Sequence, residues 1–182
     1  MATKPRSTRT LRVAPDHQLD DQSIGLEARV AEADHQSLKL WLRLLACSTQ
    51  IEIEIRRRLR ERFGVSLPRF DFLAQLHRHP DGLRMNTLSR YLMVSGGNVT
   101  GLTDELEKDG LVSRDDDPDD RRSYRVRLTP GGRRAFERMA SEHEGWLVEL
   151  FAGLESEHKQ ALYEGLGRLR VNLVAVQGGH EK

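Results

Sequence analysis

The stretch "DDDPDDRRSYRVRL", Asp115 to Leu128, decides the fold. Five carboxylates fill six positions, broken only by Pro118, and Arg121 and Arg122 follow at once. A calcium loop needs acids at alternate positions, glycine at the sixth and glutamate at the twelfth. Counted from Asp115, the sixth residue is Asp120 and the twelfth is Val126, so that loop is excluded. Simple disorder is disfavoured by the flanks. "LVSR" (111–114) is strand-like, and in "SYRVRL" (123–128) Tyr124, Val126 and Leu128 alternate with Ser123, Arg125 and Arg127, which gives one apolar and one polar face. A strand, a polar loop and a strand make a hairpin.

Upstream, "MNTLSRYLMVSGGNVTGLTDELEKDGLV" (85–112) predicts two helices joined by a tight turn. Asn86 caps the first, with Leu88 and Leu92 inward. Ser95 caps the second, with Val99, Leu102 and Leu106 inward, and Gly110 closes it. Downstream, Thr129 and Pro130 start another helix, whose apolar stripe includes Phe136, Met139, His143, Trp146 and Leu147. The last helix begins near Glu155 and shows Leu162, Leu166, Leu169, Leu173 and Val176 at the spacing of a helix–helix seam. At the other end, one long helix runs from about Leu38 to Phe63 and stops at Gly64. Its arginines, Arg56 to Arg62, form a solvated face paired in part with Glu52, Glu54 and Glu61. A further helix spans residues 66–82, capped by Ser66 and closed by Pro80 and Gly82, with Phe70, Leu73, Ala74 and His77 on one face.

Two helices and a turn followed by a hairpin give a winged helix-turn-helix. The predicted fold class is mostly α with a small β-hairpin wing, and the last helix carries a helix–helix seam. In such a fold the second helix of the pair enters a major groove and its amino-terminal residues read base edges. Ser95, Asn98, Thr100 and Thr103 are the expected groove residues. Arg121 and Arg122 are the expected wing residues, and Asp120 supports the wing. Gly96, Gly97 and Gly101 around them permit a close approach of the helix backbone to DNA.

The bulk numbers agree with an ordinary soluble domain. Hydrophobic residues are 37%, and the 15 glycines come on top of that. No apolar run approaches the ~18 residues of a membrane span, and the polar start has no signal-peptide core. The single cysteine, Cys47, suits a reducing cytoplasm. The net charge of +1 is silent about nucleic acid, and residues 84–128 carry eight basic and nine acidic groups, so the expected nonspecific DNA affinity is modest. Residues 1–35 read as a mostly disordered tail, basic at its start. Residues 36–64 and 130–177 read as the helices that flank the lobe, and 65–129 as the DNA-binding lobe.

"LEKDGLVSRDDDPDDRRSYRVRLTPGGR" (106–133) resembles the wing region of MarR-type transcription regulators. The family's Asp-x-Arg-x5-Leu-Thr pattern is met by Asp120, Arg122, Leu128 and Thr129, and the resemblance runs from about Leu38 to Val176. It implies a homodimer with interlocked terminal helices, each protomer presenting one winged helix to half of a near-palindromic operator in double-stranded DNA. Repression is the family's default. Many members carry a bulky or basic residue where Gly101 follows Val99 and Thr100.

"LMVSGGNVTGLTDELEKDGLV" (92–112) further resembles a subgroup that controls hydroxycinnamate catabolism and responds to acyl-CoA thioesters. That implies p-coumaroyl-CoA or feruloyl-CoA as effector. Trp41, Phe70, His77 and Trp146 are the expected aromatic pocket, with the arginine-rich end of the first helix meeting CoA phosphates. Alternatives are a free phenolic carboxylate, an oxidant, or a helical dimer that binds a protein partner. Cys47 has Ala46 and Ser48 beside it and no tyrosine nearby, so a buried inert thiol is expected. His77 and His79 diverge on a helix, so no metal is expected, and no cofactor is. No P-loop, nucleophile elbow or H-E-x-x-H motif marks an enzyme.

Overall fold

The computed structural model describes residues 36–117 and 120–178, with the backbone alone for 120–123 and 177–178. The elements in chain order are α1 (Gln36–Phe63), α2 (Leu67–Arg78), β1 (Leu83–Arg84), α3 (Met85–Leu92), α4 (Gly96–Lys108), β2 (Val112–Asp117), β3 (Asp120–Leu128), α5 (Pro130–Leu150) and α6 (Ser156–Gly178). The chain is mostly helical with one small antiparallel sheet, in the order β1-β3-β2. It divides into two compact units, one ending at Gln50 and one starting at Ile51, and α1 runs through the boundary.

The described part of the first unit is the amino-terminal half of α1. Leu38, Leu40, Trp41 and Leu45 are exposed there. Cys47 is exposed as well, which corrects the expectation of a buried thiol: on the helix, position 47 points well away from the half-buried Leu42.

The second unit holds the core. Ile55 and Leu59 from α1, Phe70, Phe72, Leu73 and Leu76 from α2, Leu88 from α3, and Val99 and Leu106 from α4 meet Val112, Val126, Phe136, Met139 and Trp146. The helices form where expected, because their apolar residues recur at three and four residue steps. α1 ends at Gly64, whose φ of 67° lies where L side chains rarely sit. Arg56, Arg57 and Arg58 pair with Glu52 and Glu54 one turn away, and Arg57 also with Glu61. Arg57, and then Arg58, holds the Glu54 carboxyl down to about 2. Thr129 caps α5, accepting from the Gly132 amide at 2.9 Å, with Pro130 in the first turn. The start of α3 differs from the expectation. Its N-cap is Arg84, and Asn86 lies inside the first turn.

The hairpin forms with Val112 opposite Leu128 and Arg114 opposite Val126. The sequence reading omitted β1, which pairs Leu83 with Val126 and Arg84 with Arg125. Two residues are too short to show alternation. β1 exists because the chain leaving α2 turns at Gly82, whose φ is 80° and whose missing Cβ would sit 2.6 Å from Arg127 Cγ.

α6 buries no residue. Leu162, Leu166, Leu169, Leu173 and Val176 are all exposed, as are Val148 and Phe151 near the end of α5.

Candidate nucleic-acid interface

α3 closes on Met93, whose φ of 53° places it in the left-handed region and reverses the chain within three residues. Val94 N donates to Ser89 O at 3.2 Å, and the Ser89 hydroxyl donates to Val94 O. The turn is therefore tied to the helix before it, and α4 leaves at a fixed angle.

Ser95 is the N-cap of α4, but its side chain makes no cap hydrogen bond. Its exposed hydroxyl is not used by the helix. Asn98 and Thr100 are exposed too. The Thr100 hydroxyl donates to Gly96 O at 3.1 Å, which leaves its acceptor positions outward. No heavy atom lies within 4 Å of a Cβ built on Gly96, Gly97 or Gly101. Together these residues make a narrow, open, polar face at the amino end of α4, where the amides and dipole favour a nearby phosphate.

Thr103 corrects the expected set. It is fully buried, and its hydroxyl donates to Val99 O at 2.7 Å. Four residues separate it from Val99 and three from Leu106, so it shares their inward face.

The acids of α4 have an internal partner. Arg114 on β2 donates to Glu107 at 2.6 Å and to Asp104. This offsets part of the negative charge on the candidate reading helix and ties the hairpin to it. On the sheet's other face, Arg84 Nε donates to Asp117 Oδ2 at 2.5 Å, Arg125 Nε lies 3.2 Å from the same oxygen, and Arg127 Nε lies 3.3 Å from Asp115. The Asp117 side chain is completely enclosed. The sequence reading had singled out Asp120 instead. Alternation places Asp115 and Asp117 on the face that carries Arg125 and Arg127, and that signal was available in the sequence. Asp120, Arg121 and Arg122 lie in β3, but their side chains fall outside the described residues.

The expected effector residues are distributed differently. Phe70 and Trp146 are buried. Phe70 stacks at 5.4 Å on Phe136 and 4.9 Å on His143, and Trp146 lies 6.2 Å from Phe63 with Arg58 6.0 Å above its ring. His77 packs 4.8 Å from Phe136 and reaches Glu137 at 3.5 Å. Burial lowers the His143 pKa, which favours the neutral ring. These rings join α2 to α5. Trp41 is exposed in the first unit. An open groove of about 740 Å³ in the second unit is lined by Arg62, Phe63, Arg134, Arg138, Glu142 and their neighbours, without Phe70, His77 or Trp146.

No helix among the described residues is long and apolar enough to cross a membrane. A MarR family profile matches residues 63–123, which covers the helix-turn-helix and most of the hairpin. An uncharacterised HTH-type transcriptional regulator of Bacillus subtilis, YdgJ, is 33% identical over 110 residues, covering 60% of this chain and 66% of that one. The crystal structure of a MarR family regulator from Silicibacter pomeroyi is 34% identical, with a TM-score of 0.64 over 80% of this chain and 99% of that one. Sco3205 of Streptomyces coelicolor, a MarR family regulator solved in complex with DNA, is 25% identical, with a TM-score of 0.67 over 79% of this chain and 91% of that one. The family model, the hairpin after a helix-turn-helix and the match over nearly the whole of a solved relative agree: the chain belongs to the MarR family, and it is a winged-helix, DNA-binding transcription regulator rather than an enzyme.

Proposed function

We propose that the chain is a ligand-responsive repressor of aromatic-acid (hydroxycinnamate) catabolism genes, released from its operator by an aromatic acyl-CoA such as p-coumaroyl-CoA or feruloyl-CoA. The observation that carries the DNA reading is the open face of α4. Ser95, Asn98 and Thr100 are exposed there beside glycines whose Cβ positions are empty, and none of them serves the core. Asn98 suits an adenine edge, worth ~1–3 kcal/mol of discrimination. Arg121 and Arg122 carry the wing to an adjacent minor groove, where narrow segments concentrate negative potential.

The working unit is a homodimer on a near-palindromic site. Its support is α6, an apolar seam that buries nothing within one chain. A helix with Leu162, Leu166, Leu169 and Leu173 all exposed is stabilised by a partner, since isolated helices are marginal in water. Residues 36–64 and 130–177 then serve dimerisation, and 65–129 bind DNA.

An anionic effector is favoured by the groove beside Phe63. Arg134 and Arg138 stand one turn apart there, and with Arg62 they outnumber the two carboxylates of the lining, Glu137 and Glu142. A ligand that binds one dimer spacing better than the other shifts the population away from the spacing that spans successive major grooves.

The test is fluorescence anisotropy with DNA from the chain's own upstream region against scrambled DNA, with and without p-coumaroyl-CoA. Specific binding reversed by the thioester supports the whole reading. Specific binding reversed only by free phenolic acids replaces the effector and keeps the regulator. Replacing Arg122 separates the regulator from a dimer that binds a protein partner: only the regulator loses operator binding while the dimer stays intact.

A further inference from the structure

We propose that Asp117 is a positioning residue for DNA recognition, clasping the turn end of the hairpin to the strand that leads into the helix-turn-helix. The inference rests on the DNA-binding reading above. Asp117 and Thr103 are the buried polar residues among those described, and Asp117 is the charged one. Its Oδ2 accepts from Arg84 Nε at 2.5 Å and lies 3.2 Å from Arg125 Nε.

The two arginines are direct cross-strand partners in the β1–β3 pair. Like charges placed opposite one another destabilise a sheet. The Asp117 carboxylate, entering from β2, offsets that repulsion and joins all three strands at one point.

A buried ion pair is weak evidence for stability, because apolar residues of similar shape often do as well. Its placement points to geometry. Arg84 is both the end of β1 and the N-cap of α3. Asp117 is the last residue of β2 and pairs with Asp120 at the turn end of the hairpin. On the opposite face, Arg114 ties β2 to Asp104 and Glu107 of α4. One tie holds the hairpin to the entrance of the helix-turn-helix, and the other holds it to the reading helix. Between them they set the offset of two DNA-contacting elements. Two contacts on one rigid frame bind cooperatively only while the frame fits both. Nonspecific binding counts phosphate contacts and tolerates a loose frame.

The experiment compares the full-length chain with Asp117→Asn and with the double variant Arg84→Gln/Asp117→Asn. The probes are a duplex selected by the wild-type chain from a randomised pool, and its scrambled form. Circular dichroism and light scattering follow fold and assembly. Asp117→Asn keeps the side-chain shape and removes the charge. The expected result is about a tenfold loss of affinity for the selected duplex, with scrambled DNA bound as well as before or better. The double variant loses no more than the single one, because the two residues act as one unit and removing Arg84 also removes its repulsion with Arg125. Equal loss on both duplexes overturns the proposal, since it marks a plain folding defect, and so does unchanged affinity for the selected duplex. If Asp117→Asn does not fold, Arg84→Gln alone is read by the same criterion. A wild-type chain that selects no duplex overturns the DNA reading itself, and the clasp with it.

Discussion

Replacing Gly101 with alanine changes two quantities in opposite directions. Gly101 sits mid-helix in α4, its φ is not positive, and a Cβ built there meets nothing within 4 Å. Alanine is better than glycine in a helix interior by ~1 kcal/mol, because less backbone entropy is lost on folding. The folded chain therefore gains about that much, which raises the melting temperature by roughly 2–4 °C for a domain of this size. If the glycine face lies against the floor of a groove, the same methyl forces the helix outward. Overpacking a close-fitting surface costs ~1–3 kcal/mol, and the lower bound is already about fivefold in affinity. The assays are urea denaturation for stability and fluorescence anisotropy on the selected duplex for binding. Gly145→Ala is the control: it too is exposed in a helix with nothing within 4 Å, but it lies on α5. It gains the same stability and leaves DNA binding alone. If Gly101→Ala is more stable and binds its duplex with unchanged affinity, the close approach of α4 is refuted. If it is not more stable, the bare-Cβ argument fails first.

Thr103→Val costs about 1 kcal/mol of stability, the worth of one side-chain hydrogen bond, and leaves sequence preference unchanged because the residue faces the core; altered specificity in a base-substitution panel would return Thr103 to the groove. Gly132→Ala places a Cβ 1.9 Å from Leu111 O, at the junction of hairpin and α5, so a loss of at least ~3 kcal/mol is expected in chemical denaturation. Leu166→Asp or Leu169→Asp in α6 converts the dimer to monomer in light scattering, since each places a charge on an apolar seam. Burial lowers the His143 pKa below its unfolded value, so its contribution is complete above the unfolded pKa of about 6.5 and is lost as pH falls through the folded one. His143→Phe, which keeps the ring against Phe70 and Trp146, flattens the stability profile below that pH.

Periodicity made the helices legible. α1, α2, α4, α5 and α6 each show apolar residues at three and four residue steps, and local chemistry marks their ends at Gly64, Ser66, Ser95, Thr129 and Pro130. The hairpin was legible for the same reason, because Tyr124, Val126 and Leu128 alternate with arginines and a strand's period is two. The open face of α4 followed from position alone: its amino end is exposed wherever its inward stripe is Val99 and Leu106. Thr103 was misplaced because a threonine is equally at home inside or outside until its neighbours are known. Its hydroxyl satisfies itself on Val99 O, which lets it sit in the core.

Tertiary structure decided the rest. β1 is too short to carry a pattern, and only the pairing of Leu83 and Arg84 with β3 reveals it. The task of Asp117 among five neighbouring carboxylates depends on that third strand, because Arg84 lies 33 positions away in the chain and reaches it only through the sheet. Phe70, His77 and Trp146 were assigned from ring chemistry, yet the packing of α2 on α5 turns Phe70 and His77 onto Phe136 and His143, and Trp146 lies against Phe63 and His143. A sequence records which faces are apolar. Which partner fills each face is a property of the assembled chain, since burial is set by neighbours that are distant in sequence.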